Sequence, residues 1–143
     1  MLNLIVINQV IDNWRKDGIK LLPPCNEAEI ISVFAKMNQK LSADIIKLYC
    51  AVGGMDDNVM DSKCFSFWSI DKMIRERTAY NCSGVAFGDF LIESHAYYFN
   101  YEDANISSIY TDWSEGGELI KIADSVNDFF KIYLSNSEEL GLF

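Results

Sequence analysis

Tyr97-Tyr98-Phe99-Asn100-Tyr101 sets Tyr97, Phe99 and Tyr101 on one side of an extended chain and Tyr98 and Asn100 on the other. That is the period-two pattern of a strand in a sheet with two unlike faces. Working outward, Val85 to Glu93 and Ser107 to Trp113 read as flanking strands, and short polar connections between them favour an antiparallel meander. Gly116 and Gly117 mark one more turn before a strand over Leu119 to Ile122. Upstream, Phe65, Phe67 and Trp68 suggest a short strand, after which Ser69 caps a brief helix through Met73 and Ile74.

Helices bracket this block. Leu4, Ile7, Ile11 and Trp14 recur at helical spacing, and Gly18 follows Arg15 and Lys16 where a helix would end. Pro23 and Pro24 make a connector, because each disfavours helix at the residue before it. Asn26 with Glu29 predicts a capped second helix carrying Ile30, Val33, Phe34 and Met37 on one face. Ser42 is placed as N-cap of a third helix, with Leu41 and Ile46 as a hydrophobic staple and Ile45, Leu48, Tyr49 and Val52 as its buried stripe; Gly53 and Gly54 supply a left-handed close. Asp56, Asp57, Asn58 and Asp61 read as an exposed acidic loop. Ser125 and Asp128 predict a capping box for a last helix that buries Val126, Phe129, Phe130, Tyr133 and Leu134. Residues 136–143 read as a partly ordered tail. Helices, then strands, then one helix is a segregated order that predicts an α+β fold, a central antiparallel sheet with N-terminal helices and a C-terminal helix packed around it. At 143 residues, a single domain over 1–143 is expected.

Charge is divided along the chain. Residues 1–87 hold ten basic and ten acidic residues, whereas residues 88–143 hold eleven acids against Lys121 and Lys131, so the net charge of −9 sits in the second part. Such a distribution repels polyanions, which argues against direct nucleic-acid binding and against anionic membrane surfaces, and it attracts a basic protein. No basic residue precedes the short apolar stretch Leu2 to Val6, so no secretory signal is read and a cytoplasmic location is expected. Cys25, Cys50, Cys64 and Cys82 lie far apart with a single histidine to help them, so neither a metal site nor a cofactor is expected. The Asp56–Asp61 loop lacks the spacing of a calcium loop.

Catalytic groupings are sparse. His95 is the one histidine, and Ser94 beside it points to the opposite face of a strand. Adjacent carboxylates such as Glu102 and Asp103 suit solvation as readily as acid–base work. The chain is therefore expected not to be an enzyme. A small hydrolase or ligand binder built around His95 and Glu93 stands as one alternative.

Three stretches resemble the SUKH superfamily. Leu41-Ser-Ala-Asp-Ile-Ile-Lys-Leu-Tyr-Cys-Ala-Val-Gly-Gly54 resembles the family's helix that starts near a Leu-Pro pair and ends in an Asn-Gly-Gly-like turn. Phe87-Gly-Asp-Phe-Leu-Ile-Glu-Ser-His-Ala-Tyr97 is similar to its first main strand pair, and Ile122-Ala-Asp-Ser-Val-Asn-Asp-Phe-Phe130 to the start of its closing helix. The three come in the right order and span roughly Leu21 to Leu134. Ser42 stands where Pro is usual and Val52 where Asn is common, departures that bear on subgroup. The resemblance implies an α+β fold, no shared catalytic residue and, for bacterial members, a role as an immunity protein that binds and neutralises a polymorphic toxin. Regulatory scaffold modules are the alternative within the same superfamily. On this reading Asp89, Glu93, Glu102, Asp103, Asp112 and Glu115 are expected to meet Lys and Arg of a basic toxin such as a nuclease, with Tyr98 and Trp113 as aromatic anchors.

Overall fold

The computed structural model describes residues 2–79, 83–92, 94–112 and 118–141. In chain order they form α1 (Leu4–Lys16), α2 (Glu27–Lys36), α3 (Ala43–Ala51), β1 (Phe65–Phe67), α4 (Ile70–Arg75), β2 (Val85–Phe90), β3 (His95–Tyr101), β4 (Ser107–Thr111), β5 (Ile120–Ala123) and α5 (Val126–Ser135), with single 3-10 turns at Arg77–Ala79 and Ser137–Leu140. The five strands make one antiparallel sheet in the order β1-β2-β3-β4-β5. The fold is α+β, as the segregated sequence pattern predicts.

Local capping explains where the helices begin. Asn26 accepts from Glu29 N–H (2.9 Å) and Glu29 returns a bond to Asn26 N–H, a complete capping box. Ser69 accepts from Lys72 N–H and Ser125 from Asp128 N–H, each filling one orphan donor of a first turn. Ser42 departs from expectation: it occupies the N-cap position of α3 without capping. Its hydroxyl instead donates to Asp44 Oδ1 (2.5 Å) and lies 2.6 Å from the Ser107 hydroxyl, while Ser107 N–H donates to Asp44 Oδ2 (3.2 Å). This buried knot fastens the start of α3 to β4. Burial raises the pKa of Asp44 above the ordinary carboxylate value, against the lowering pull of its hydrogen bonds.

The glycine pair after α3 meets the left-handed expectation only at Gly54, whose φ is +106°. Val52 at the C-cap is extended, and Gly53 and Gly54 run beside the Leu22–Pro24 connector through Gly53 N–H to Leu22 O and Leu22 N–H to Gly54 O (2.8 Å). A Cβ on Gly53 would stand 2.0 Å from Pro23 O, so close backbone approach demands glycine there.

Helices α1, α2, α3 and α5, with Ile70 and Met73 of α4, bury their apolar faces with the sheet around an aromatic core. Phe87 stacks on Phe99 (centroids 4.0 Å apart), Trp14 on Phe67 (5.6 Å), and Phe129 meets Phe87 edge-on (5.7 Å). Ile45, Leu48 and Tyr49 of α3, Ile30 and Phe34 of α2, and Phe130 and Tyr133 of α5 complete it. Residues 136–141, read as tail, pack onto this core: Leu140 is fully buried and its carbonyl accepts from Tyr97 OH (2.6 Å).

Asp61 is the largest departure from the sequence reading. Placed by pattern in an exposed loop, it is buried, and its carboxylate accepts from Trp14 Nε1–H (2.9 Å), Tyr133 OH, Lys63 N–H (2.8 Å) and Phe65 N–H (3.0 Å). Trp14 also donates to the Tyr133 hydroxyl (2.8 Å). Burial, with Asp61 adding to it, holds the Tyr133 phenol protonated far above its usual range. Lys63 lies with its ammonium 4.2 Å from the Tyr133 ring centroid and donates to Tyr133 O.

Removing an acceptor shared by several buried donors leaves each unsatisfied. Asp61→Ala is expected to lower unfolding free energy by about 3 kcal/mol or more in urea titrations. Asp57→Ala, which breaks only a half-exposed pair with Arg75 (2.6 Å), is expected to cost less than about 1 kcal/mol in the same assay.

Candidate functional site

Two bulges decide what the second face of the sheet displays. Ala86 pairs with Tyr98 and Gly88 with Tyr97, so two steps on β2 match one on β3 and Phe87 is the extra residue. The phase of β2 flips there: Ala86 and Asp89, three apart, both face away from the helices. Ile122 is the extra residue in β5, since Ile109 pairs with Ala123 and Tyr110 with Lys121. Lys121 reaches Asp124 at the strand edge in an ion pair of 2.8 Å.

The outer face has its own small apolar patch of Trp68, Ala86, Ala96 and Tyr98, against which Tyr110 and Leu119 pack. The Lys72 ammonium lies 4.9 Å from the Trp68 ring centroid. Two aromatics on this face are tied to carboxylates. Trp68 Nε1–H donates to Asp89 Oδ2 (3.0 Å) and Tyr98 OH to Asp112 Oδ2 (2.8 Å), while Asp112 Oδ1 accepts from Ala96 N–H (2.7 Å).

These bonds reassign several residues expected to face a partner. Asp89 and Tyr98 are about 1% exposed, so neither offers surface to another molecule; both serve the sheet. Asp112 is half-buried and spends both oxygens inside the chain. Asp103 is exposed but accepts from Asn105 N–H (2.7 Å) and Ile106 N–H (3.0 Å), shaping the β3–β4 turn. Glu102 is exposed and accepts from the Ser108 hydroxyl (2.6 Å) on the outer face. Glu93, Trp113 and Glu115 lie outside the described residues.

What the fold does bring together is a cluster at the β3–β4–β5 side of the outer face. Lys121 is exposed, and its ammonium is held above its ordinary pKa by the Asp124 hydrogen bond first, with the charges of Asp124, Glu102 and Tyr110 adding to it. Glu102, Tyr110, Lys121 and Asp124 thus form a continuous exposed or half-exposed strip. Sequence reasoning singled out Glu102 and counted Tyr110 among the sheet aromatics, but missed Lys121 and Asp124 because the β5 bulge carries no turn residue to announce it.

His95, the alternative catalytic candidate, is held in place on both sides. Its ring stacks on Phe90 (5.0 Å) and Nε2 lies 3.0 Å from Tyr97 OH, which itself donates to Leu140 O. Burial pushes the imidazole below its ordinary pKa, against the pull of Asp112. This chain of contacts pins the C-terminal turn to the sheet. Among the described residues no three His, Cys, Asp or Glu side chains gather as a metal site, and no helix is long and apolar enough to cross a membrane.

No protein-family model matches this chain, and no curated protein matches it.

Because the fold disfavours charged His95, the stability it supports is present above the unfolded pKa, about 6.5, and is lost as pH falls through the lower folded value. The single imidazole is expected to titrate below 6.5 by NMR. In urea unfolding, His95→Gln is expected to flatten part of the loss of stability seen between neutral and mildly acidic pH.

Proposed function

We propose that this protein binds another protein and performs no catalysis, and that its role is that of a SUKH-type immunity protein that occludes a basic toxin. The observation that carries the reading is the group in which Glu102, Asp124 and the half-exposed ring of Tyr110 surround Lys121. An aromatic ring flanked by carboxylates suits an electropositive protein surface. The ring supplies contact area at low entropic cost, and the acids steer encounter and reject acidic partners.

The excess of acids after residue 87 points the same way. A nuclease toxin needs Lys and Arg to hold a phosphate backbone, so carboxylates spaced along a rigid sheet face would compete for those groups by imitating phosphate charge. A toxin docked there would be blocked without any chemistry by the immunity protein. The cytoplasm, where such a toxin would act, is the location this role implies. Compared with the sequence reading, the contact moves from Asp89, Tyr98 and Asp112 toward Glu102, Tyr110 and Asp124, since the first three are used inside the fold.

The test is survival of cells co-expressing this chain with the toxin domain encoded by the reading frame immediately upstream. Rescue is expected, and Glu102→Lys combined with Tyr110→Ala should slow association at low salt by about tenfold. Asp12→Lys, on the helix side, should leave it unchanged. If no neighbouring toxin is neutralised, the immunity role is wrong. If rescue persists with an unaltered association rate in the double variant, the choice of face is wrong.

A further inference from the structure

The two borders of the sheet are finished differently. Beyond β1, Met55 N–H donates to Phe67 O (2.8 Å) and Asp61 N–H to Phe65 O (2.9 Å), so the preceding loop closes that edge. Beyond β5, no backbone group among the described residues pairs with the outer edge, and Ile120 there is 36% exposed. An unpaired edge of this kind is a template for another strand.

We propose that the occupant is a second copy of this chain, joined by antiparallel pairing of the two β5 edges into one continuous ten-stranded sheet. The ground is a charge pattern that is its own complement. Reading Lys121-Ile122-Ala123-Asp124 against itself in reverse sets Lys121 opposite the second copy's Asp124, Ile122 opposite its Ala123, and the same pairs again on the other side of the two-fold axis. A two-fold interface requires this self-complementarity, because each residue meets its counterpart's partner twice.

Direct pairing also requires that opposed residues share a face. In a regular strand Lys121 and Asp124, three apart, would point to opposite faces and the register would fail. The bulge at Ile122 removes that obstacle. Lys121 lies on the outer face with Tyr110, Ile122 and Ala123 both turn toward the core, and Asp124 stands at the strand edge beside the α5 groove, where the Lys121 ammonium reaches it in the ion pair and a second copy's Lys121 would reach it likewise.

A groove of about 400 Å³ runs along the helix side of the same edge, between β5 and α5. Ile122 and Ile132 give it an apolar floor, and Asp128 and Lys131 stand on its wall with opposite charges. Joining the edges brings two such grooves together across the axis, where Asp128 of one copy and Lys131 of the other are again complementary.

Sedimentation equilibrium across concentrations up to about 100 µM tests this, with circular dichroism to confirm that each variant is folded. The chain is expected at twice its monomer mass. Lys121→Asp and Asp124→Lys each place like charges opposite one another and should weaken self-association by about tenfold or more. An equimolar mixture of the two variants sets carboxylates against ammonium groups at every contact, so a mixed dimer should return. A wild-type chain that stays monomeric throughout, variants that dimerise as well as wild type, or a mixture no tighter than its components would each overturn the proposal. A monomer would also leave the β5 edge to an extended segment of a different protein.

Discussion

Asp61 gathers hydrogen bonds from an indole, a phenol and two backbone amides, and through them it ties α1, α5 and the start of β1 to one point beneath the core. A buried carboxylate is tolerated only when its lone pairs are filled, and here four donors fill them. The arrangement is also a constraint on everything around it. Trp14 must present its ring edge to Asp61 while its face stacks on Phe67, and Tyr133 must reach the same oxygen from the last helix. The order of helices, sheet and closing helix is the topology that lets both arrive. The loop between α3 and β1 is consequently part of the core architecture, and it closes the β1 edge of the sheet as it passes.

On the other side of the sheet, hydrogen bonding replaces helices. Trp68 with Asp89 and Tyr98 with Asp112 pair their polar atoms with one another, so these large rings can be buried on this face. This explains why the acidic second part of the chain does not become a uniform acidic surface. Some carboxylates are acceptors for the sheet's own indole, phenol and amide groups, while others, among them Glu102, Glu118 and Asp124, face water. Surface charge and sheet stability thus draw on the same residue type, and burial decides which role each one takes.

The periodic elements were legible from the chain alone. Alternation at Tyr97 to Tyr101 marked β3, helical spacing of Leu4, Ile7, Ile11 and Trp14 marked α1, and Asn26, Ser69 and Ser125 marked helix starts that the structure bears out. Strand ends were overrun: Val85 to Glu93 ends as β2 at Phe90, where Leu91 and Ile92 turn with positive φ despite bulky side chains. No glycine or asparagine stands there to signal the turn. Asp61 and Leu140 were misread for a related reason, since a polar loop residue and a short terminal segment look solvated until their distant partners are known.

Sequence by itself determined the α+β class, the antiparallel sheet, the helix caps and the excess of acid after residue 87, because these follow from periodicity, capping chemistry and charge that neighbouring residues carry locally. Only the tertiary structure decided which carboxylates face water, that Ser42 and Asp44 clasp β4, and that Lys121 and Asp124 pair at the β5 edge. Those outcomes turn on bulges that reverse strand phase and on contacts between residues far apart in the chain, such as Trp14, Asp61 and Tyr133, and no local pattern encodes a partner that distant.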